Sequence, residues 1–302
     1  MNLGIIGLGR MGHAIAHRVL TDGEIVYGFD VDKKAKENAL NIGVQLVENI
    51  AQLPQKTNLI WLMLPAGELI DKTINEIIPY LEPGTIIIDG GNSNFKDSIR
   101  RAQLLESYHV HFLDCGTSGG LKGEDIGFSL MIGGKQEIYE QAVPLFKAIA
   151  AKNGYGHVGP SGAGHYVKMI HNGIEYALMQ AYSEGFHIIK DGFYKKDHLD
   201  LAGISEIWMH GSIIRSYLLE LVHDIFTEDQ ALLDISGQIA ESGMGLWTMQ
   251  EAQQQNIPAP TIEDALKVRA LSRETGGNFA TKIVAMLRNK FGGHTVTKET
   301  LS

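Results

Sequence analysis

The chain of 302 residues has little cysteine: Cys115 is its only one, so an intramolecular disulfide is excluded. This composition suits a reducing compartment, and we interpret Cys115 as a small buried hydrophobic residue. Long apolar runs are lacking too, since no stretch approaches the roughly 20 residues that span a bilayer. The N-terminus also lacks the cationic region and apolar run of a signal peptide. We therefore expect a cytoplasmic protein with no membrane partner.

Positive charge is scarce, with 26 basic residues against 35 acidic ones and a net charge of −9. A sequence-independent grip on nucleic acid is not expected from such a surface. The sequence shows no cluster of metal ligands with recognisable spacing, so we expect no metal. The remaining composition is 44% hydrophobic, which is ordinary for a globular protein long enough for two domains.

Short apolar runs alternate with amphipathic stretches up to about Gly159, which is typical of a mostly parallel sheet covered by helices. The expected strands are Leu3–Ile6, Ile25–Phe29, Leu59–Leu64, Thr85–Ile88, His111–Leu113 and Ser129–Ile132. Several of these runs end in small or polar residues. Because loops at the carboxyl ends of parallel strands line a ligand crevice, the sequence predicts a binding site there.

After Gly159-Pro160-Ser161-Gly162 the pattern changes to long amphipathic helices. The expected helices are Ala163–Lys190, Ile204–Phe226, Ala231–Gln253, Ile262–Leu271 and Ala280–Lys290. Residues 160–302 are therefore predicted to form an all-α domain for substrate binding and dimerisation. Many of its apolar positions have no obvious partner in a domain of this size, so we expect a homodimer or a dimer-based homo-oligomer.

A glycine-rich fingerprint, Gly7-Leu8-Gly9-Arg10-Met11-Gly12, follows the first expected strand and opens a helix. This strand–turn–helix context distinguishes it from a chance GxGxxG, which is the alternative. The first glycine permits a tight turn, the second lets a pyrophosphate approach the backbone, and the third lets the helix pack on the strand. The helix N-terminus adds roughly +0.5 charge. We therefore predict a Rossmann-type dinucleotide-binding domain with a doubly wound sheet over residues 1–159.

Asp30 closes the second expected strand, where a carboxylate would accept hydrogen bonds from the adenosine ribose. A carboxylate there repels a 2′-phosphate, whereas Lys33 and Lys34 nearby partly offset that repulsion. NAD is therefore favoured as the cofactor, with NADP as the alternative. Asp30 can instead serve as a helix N-cap or a solvated turn residue.

Four functional side chains stand near the start of the long expected helix, namely Lys168, His171, Asn172 and Glu175. Their spacing of i, i+3, i+4 and i+7 puts them on one helix face. A base and an acid two turns apart can hold a small polyhydroxy acid and move protons at both of its ends. On an arbitrary helix such residues are usually solvated, but here the surroundings are apolar and glycine-rich.

With these residues the chain resembles the β-hydroxyacid dehydrogenase superfamily and, within it, the short form of the decarboxylating 6-phosphogluconate dehydrogenases. The superfamily pattern GxGxxxKxxxN is met by Gly162, Gly164, Lys168 and Asn172. Residues 171–176 resemble the phosphogluconate branch of this superfamily. Further matches are the fingerprint, Asp89-Gly90-Gly91-Asn92-Ser93 and Ser118-Gly119-Gly120. The resemblance covers essentially the whole chain.

The resemblance implies oxidative decarboxylation of 6-phospho-D-gluconate to D-ribulose 5-phosphate and CO2 with reduction of NAD(P), in the pentose phosphate pathway. It implies Lys168 as the base that takes the C3 hydroxyl proton, provided that its amine is neutral in the complex. The ammonium then returns the proton to the C3 carbonyl oxygen. Once CO2 has left an enediol, Glu175 is the implied acid that protonates C1.

The resemblance also assigns the binding residues, although turn chemistry alone can explain those in loops. For the substrate they are Asn92, Ser118, Gly119, Gly120, His171, Asn172, Tyr176, Arg269, Arg288 and His294. For the cofactor they are residues 7–12, Asp30, Leu64, Pro65, Ala66 and Asn92. Arg269 and Tyr176 match phosphate contacts, for which a guanidinium fork is suited. Arg288 and His294 resemble tail residues that long members donate to the neighbouring active site.

The chain departs from the long members of the family at two places. They usually carry a lysine where Pro65 stands, and they have two lysines in a segment that here reads Glu241-Ser242-Gly243-Met244-Gly245-Leu246-Trp247. The phosphate contacts then depend on Arg269, Arg288 and Tyr176. The long C-terminal helical duplication is also missing, which fits the short form.

Two other functions compete with this one. A dehydrogenase of an unphosphorylated 3-hydroxy acid, similar to 3-hydroxyisobutyrate dehydrogenase and without decarboxylation, would explain Lys168 and Asn172 but not Glu175. An inert NAD-binding scaffold would need the fingerprint alone. Cofactor turnover distinguishes the scaffold from both enzymes, and release of CO2 distinguishes the enzymes from each other.

Overall fold

The computed structural model describes residues 1–241 and 243–298. They divide into two compact units, the first ending at Met169 and the second beginning at Ile170. The predicted boundary between residues 159 and 160 stays a prediction. Residues 299–302 of the predicted second domain lie outside the described residues.

The first unit alternates strands and helices as the apolar runs predict. Its strands are β1 (Asn2–Ile6), β2 (Ile25–Phe29), β3 (Gln45–Leu46), β4 (Leu59–Leu62), β5 (Ile86–Asp89), β6 (His111–Ser118), β7 (Phe128–Gly134) and β8 (Ala150–Gly159). Its helices are α1 (Arg10–Thr21), α2 (Lys33–Asn41), α3 (Glu68–Ile77), α4 (Phe95–Glu106), α5 (Gly123–Ile126) and α6 (Gln136–Ile149). Short 3-10 helices cover Ile50–Gln55 and Ile78–Tyr80.

The strands form one eight-stranded sheet in the order β3-β2-β1-β4-β5-β6-β7-β8. Every neighbouring pair runs parallel except β6 and β7, which are antiparallel. The order reverses direction at β1, which is the switch point where open α/β sheets bind ligands. The predicted mostly parallel, doubly wound sheet is confirmed.

Both faces of this sheet are buried. Along β4 and β5 the side chains alternate between two apolar cores: Trp61 and Ile88 enter one core, while Ile60 and Ile87 enter the other. A parallel sheet covered on both faces needs such continuous apolar strands. Helix–sheet packing thus fixes the carboxyl ends of the strands, where the loops of the site begin.

The second unit is helical, as predicted. A long helix, α7 (Ala163–Asp191), begins in the first unit and continues into the second. It is followed by α8 (Leu201–Met209), α9 (Tyr217–Glu228), α10 (Met244–Gln254), α11 (Pro260–Thr275) and α12 (Phe279–Gly292). Their apolar core contains Phe186, Phe226 and Ile283.

Two expected helices are wrong in extent. The helix expected over Ile204–Phe226 is two helices, because Gly211 adopts a φ of 89° after α8 and the Ser216 side chain caps α9. The helix expected over Ala231–Gln253 begins only at Met244. Asp229 directs the preceding chain into a turn by accepting hydrogen bonds from the backbone N–H groups of Ala231 and Leu232.

Cys115 lies in β6 with no exposed surface, which confirms its interpretation as a buried hydrophobic residue. Burial raises the pKa of its thiol far above the usual range. Among the helices of the described residues, none is long and apolar enough to cross a membrane.

Candidate active site

The fingerprint loop joins β1 to α1, and its three glycines have different surroundings. Gly7 has a φ of +96°, and a side chain there would collide with the Met63 carbonyl. A side chain on Gly12 would collide with the Gly7 carbonyl. Apart from Gly9 itself and its two chain neighbours, no described atom lies within 4 Å of where a Cβ of Gly9, the N-cap of α1, would be. The backbone is therefore compact at Gly7 and Gly12 and open at Gly9, as a bound pyrophosphate needs.

A cavity of about 370 Å³ opens beside this loop. It is lined by residues 8–11, His13, Ala14, Asp32, Lys34, Ala35, Asn38, Gly120, Leu121 and Glu124. Asp30 accepts hydrogen bonds from the N–H groups of Leu8 at 2.6 Å and Asp32 at 2.8 Å. The Asp30 carboxylate is therefore held against the fingerprint loop at the end of β2. The open Gly9 backbone and the α1 N-terminus fit a dinucleotide.

The loops after β4 and β5 carry the other predicted cofactor residues. Leu64 is half-buried, while Pro65, Ala66 and Asn92 are exposed. Exposure leaves these residues accessible to a ligand. Both loops lie at the carboxyl ends of adjacent parallel strands, so the structure brings them to one edge of the sheet.

Ser118 is the last residue of β6, and Gly119 and Gly120 follow it with φ angles of 133° and 56°. These positive angles favour glycine. The chain that follows is attached to α1, because Arg18 Nη1 donates a hydrogen bond to the Glu124 carbonyl at 3.1 Å. The predicted carboxylate-binding loop therefore lies beside the cofactor cavity, which Gly120 lines.

The start of α7 is fixed by the buried carboxylate of Asp114, which the sequence did not single out. It accepts hydrogen bonds from the N–H groups of Gly162 at 2.6 Å and His165 at 2.8 Å. These are unpaired donors at the beginning of a helix, so Asp114 acts as an N-terminal cap from the neighbouring strand β6. The cap fixes the turn that precedes Lys168.

Glycines let this first part of α7 lie against the sheet. A Cβ on Gly116 would collide with the Cβ of Lys168 and come within 2.8 Å of the Gly164 carbonyl. A Cβ on Gly133 would come within 2.6 Å of both Asp114 Oδ1 and the Gly164 nitrogen. Lys168 is buried, with 5% of its surface exposed. Its position on the sheet thus depends on residues that have no side chain.

Further along α7 are the other three residues of the predicted face. His171 Nδ1 lies 3.1 Å from Asn172 Oδ1 and 3.8 Å from the Glu175 carboxylate. These three side chains are half-buried. All three residues lie in α7, which runs from Ala163 to Asp191.

A cationic cluster in the second unit contains the predicted phosphate ligands. The Arg269 guanidinium lies over the Tyr176 ring, 3.5 Å from its centroid, and both residues are buried. Its Nη1 and Nη2 atoms have no hydrogen-bond partner in the described part of the chain. Burial lowers the pKa of Arg269 to about 10, and Arg288 and Arg273 also lower it. Such a cation requires an anionic partner.

Arg288 is also buried, and burial lowers its pKa. It is close enough to Tyr176 and Glu175 of its own chain for these groups to raise that pKa in part. His294, the other predicted tail residue, is exposed. The structure therefore brings Arg288 to the cluster within one chain.

A cavity of about 240 Å³ adjoins the Arg269 and Tyr176 side chains. Two further cations line it, Lys267 and Arg273, which sequence reasoning missed. Arg273 lies four residues after Arg269 in α11, so helical spacing was the available signal for it, whereas Lys267, two residues before Arg269, has no such spacing. Arg273 is held by the Ile239 carbonyl and the Glu241 carboxylate, and Lys267 by Glu263 and Asp264. The described residues contain no group of three or more His, Cys, Asp or Glu side chains that could hold a metal ion.

Comparison with known families gives two matches along the chain. Residues 2–159 match the family described as "NAD binding domain of 6-phosphogluconate dehydrogenase". Residues 164–299 match "6-phosphogluconate dehydrogenase, C-terminal domain". The first unit thus carries an NAD-binding domain.

Individual proteins agree with these matches. The chain is 43% identical to the NAD(+)-dependent, decarboxylating 6-phosphogluconate dehydrogenase of Haloferax volcanii, over 99% of each chain. The solved 6-phosphogluconate dehydrogenase of Plasmodium falciparum is 32% identical with a TM-score of 0.81, covering 91% of this chain and 62% of that one. The Mycobacterium tuberculosis 3-hydroxyisobutyrate dehydrogenase has a TM-score of 0.75 at 21% identity, covering 94% and 98%, which shows a shared fold.

Proposed function

This chain belongs to the 6-phosphogluconate dehydrogenase family, and from that premise we propose that it oxidises and decarboxylates 6-phospho-D-gluconate to D-ribulose 5-phosphate and CO2. The single observation that carries the substrate class is the buried Arg269 guanidinium, whose terminal nitrogens lack a partner among the described residues. A phosphate would neutralise this charge and accept hydrogen bonds from both terminal nitrogens. An unphosphorylated hydroxy acid has only its carboxylate, which this proposal assigns to the Ser118 loop, and so offers no second anion to Arg269.

The cofactor is held, in this proposal, by the fingerprint residues, Asp30, residues 64–66 and Asn92. Gly9 offers an unobstructed backbone and α1 its N-terminal dipole to the pyrophosphate. When bound, the nicotinamide supplies a hydride acceptor. We propose a preference for NAD because Asp30 places a carboxylate beside the fingerprint loop, where it opposes a 2′-phosphate. Lys34 lines the cavity beside the fingerprint loop, and its positive charge can attract a 2′-phosphate. NADP is therefore the weaker alternative.

Lys168 is the proposed base. As the C3 hydrogen leaves as hydride, the neutral amine takes the C3 hydroxyl proton and becomes an ammonium. That ammonium then returns the proton to the C3 carbonyl oxygen while the C1–C2 bond breaks and CO2 departs. Burial of Lys168 excludes water from the amine, and the Asp114 cap holds the turn before it. After decarboxylation the lysine is neutral again, and the enediol hydroxyl carries the proton that it returned.

Glu175 is the proposed acid that protonates C1 of the resulting enediol, while the neutral Lys168 amine takes the enediol hydroxyl proton and the C2 carbonyl of ribulose 5-phosphate forms. Return of one proton from Lys168 to Glu175 then resets both groups. Glu175 lies two turns after Lys168 on the same continuous helix, with His171 and Asn172 between them. His171 and Asn172 are proposed to bind the hydroxyls, and Ser118 with the Gly119 and Gly120 amides the carboxylate. At the other end of the substrate, Tyr176, Arg269 and Arg288 bind the phosphate, and His294 is proposed to reach the active site of a partner subunit.

We further propose that the chain acts as a homodimer in the pentose phosphate pathway. Exposed apolar side chains on α7 and α8 support an interface between copies, among them Ile188 at 71% and Ile207 at 69% exposure. Monomeric proteins rarely leave large contiguous apolar patches uncovered.

The test is absorbance at the reduced-nicotinamide band with purified protein and 6-phosphogluconate, run with NAD and with NADP while CO2 is trapped. Reduction with equal release of CO2 is expected, and NAD should react faster. Reduction without CO2 would favour a dehydrogenase that stops at the ketone. If 3-hydroxyisobutyrate reacts and 6-phosphogluconate does not, the assignment of the Arg269 site to phosphate is wrong.

A further inference from the structure

A guanidinium in α4 joins two loops that carry predicted cofactor residues. Arg101 has no exposed surface, and it lies between the loop after β4 and the loop after β5. The sequence analysis did not select it. Arg101 is among the largest fully buried side chains, and its neighbours are polar groups.

All five N–H donors of Arg101 are used. Nε and Nη2 donate to the two oxygens of Asp71, at 2.8 and 3.3 Å, and Nη2 also donates to the Gly67 carbonyl at 3.1 Å. Nη1 donates to Asp89 Oδ2 at 3.2 Å and to Ser93 Oγ at 3.3 Å. A guanidinium has five donors in a rigid plane, so it fixes the directions of all of its partners together.

These partners belong to two different loops. Gly67 directly follows Leu64-Pro65-Ala66, and Asp71 lies in the first turn of α3 behind that loop. Asp89 and Ser93 flank the segment that contains Asn92, and Ser93 Oγ donates to Asp89 Oδ2 at 2.7 Å. The Gly91 N–H donates to the other Asp89 oxygen at 3.2 Å. The segment around Asn92 is therefore held from inside the protein, while Asn92 itself is exposed.

We propose that Arg101 is a positioning residue, which holds the Leu64–Ala66 loop and the Asn92 loop in register so that they bind the nicotinamide half of the cofactor. The inference rests on the proposed function, because it takes these loops to be the nicotinamide side of the site. The adenosine half depends instead on the fingerprint and Asp30, which Arg101 does not contact in the described structure. Displacement of a reacting group by about 1 Å can cost roughly 100-fold in rate.

The matched pair of variants is Arg101→Lys and Arg100→Lys. Lysine keeps the charge at position 101, but a single ammonium cannot hold both loops in one plane. Arg100 is the neighbouring control, since it also pairs with Asp71 but is half exposed and contacts neither Gly67 nor Asp89. Titration calorimetry with NAD and with ADP compares the whole cofactor with its adenosine half, without any turnover.

In Arg101→Lys we expect unchanged ADP affinity, NAD affinity weakened about tenfold, and kcat lowered roughly 10- to 100-fold. Arg100→Lys should keep the wild-type ratio of the two affinities. Equal weakening of NAD and ADP, or no change in either, would overturn the proposal. If Arg101→Lys does not fold, Ser93→Ala removes one partner with little loss of volume and should shift the NAD to ADP ratio in the same direction. An unchanged ratio in Ser93→Ala would then reject the positioning role.

Failure of the proposed function has a different result. A wild-type protein that binds NAD but does not oxidise 6-phosphogluconate would refute the substrate, while the affinity ratio still tests Arg101. If the wild-type protein binds ADP and NAD equally well, the nicotinamide half makes no favourable contacts. The proposed role of Arg101 is then wrong as well.

Discussion

Burial of the charged Arg269 side chain destabilises the ligand-free fold, and the same side chain is the proposed phosphate ligand. Its folded pKa of about 10 lies below the ordinary value, so the unfolded chain binds this proton more tightly. At every pH below that pKa, the charged form therefore reduces the stability of the ligand-free fold. An anion that binds only the folded protein should offset this cost.

We predict that Arg269→Met raises the KM for 6-phosphogluconate by about 10- to 100-fold, since a hydrogen bond to a charged group contributes about 1.5–3 kcal/mol. Loss of the stacking contact with Tyr176 and relief of the buried charge should nearly cancel in the free energy of unfolding. Thermal unfolding with inorganic phosphate should show an increase in Tm for the wild type and none for the variant. An equal increase in both would place the phosphate elsewhere.

Lys168→Met should abolish hydride transfer while NAD still binds, because methionine fills the space of the side chain but cannot accept a proton. Stopped-flow absorbance of the reduced nicotinamide and calorimetry with NAD measure the two effects separately. Lys147→Met, at an exposed position of α6, is the control and should retain wild-type rates. Appreciable residual reduction in Lys168→Met would remove Lys168 from the role of base.

Asp30→Ala should increase the use of NADP relative to NAD, since it removes the charge that opposes a 2′-phosphate. It also removes the acceptor for the Leu8 and Asp32 N–H groups, so both cofactors should bind less tightly. The ratio of kcat/KM values for the two cofactors is the relevant measurement. Asp30→Asn separates the effects, because it loses the charge and keeps one acceptor. An unchanged ratio in both variants would mean that Asp30 does not read the ribose.

At the scale of elements, the approach of α7 to the sheet depends on Gly116. Gly116→Ala should push the helix away from β6, because a methyl group there overlaps the Lys168 Cβ. We expect kcat to fall by at least tenfold at a comparable fraction of folded protein. Gly156→Ala in β8, where a Cβ meets no described atom within 4 Å, is the matched control. If Gly116→Ala has wild-type kcat, the position of Lys168 does not need the close approach.

Apolar patterning predicted the strands whose side chains enter the two cores, and β1 and β2 were predicted within a residue of their bounds. The strand β8 was missed because most of its residues are only partly buried, so no alternation marks it in the sequence. The two-residue strand β3 is too short for any pattern. In the second unit, periodicity extended through the Gly211 turn because the turn residues themselves are partly apolar.

The site shows the same division. Motif spacing alone predicts the fingerprint turn and a helix that carries Lys168 and Glu175, because both depend on local geometry; the roles of these residues stay predictions. Arg101 and Asp114 were missed, since their roles depend on partners that are distant in sequence and meet only in the fold. No local pattern in the sequence distinguishes a buried arginine with five partners from an exposed one such as Arg100.

For the molecule as a whole, we predict a homodimer whose interface includes the exposed apolar surface of the second unit. A groove of about 530 Å³ in the second unit is lined by Leu178, Tyr182, Trp208, Ile213 and Ile214, among others. We expect sedimentation at micromolar concentration to give twice the mass of one chain, and Ile207→Glu on α8 to favour the monomer. Ile126→Glu, a comparably exposed apolar position in the first unit, should leave the mass unchanged. A wild-type protein that sediments as a single chain would refute the prediction.

The buried thiol of Cys115 makes this chain a convenient host for spectroscopic labels. Because the chain has no other cysteine, and because burial raises the pKa of this one, maleimides and nitroxides should leave the folded wild type unmodified. A cysteine introduced at an exposed position would then take a single label without prior removal of native thiols. Two such cysteines, one of them in the loop that carries Asn92, would let the distance between two labels be followed in solution while ligands bind.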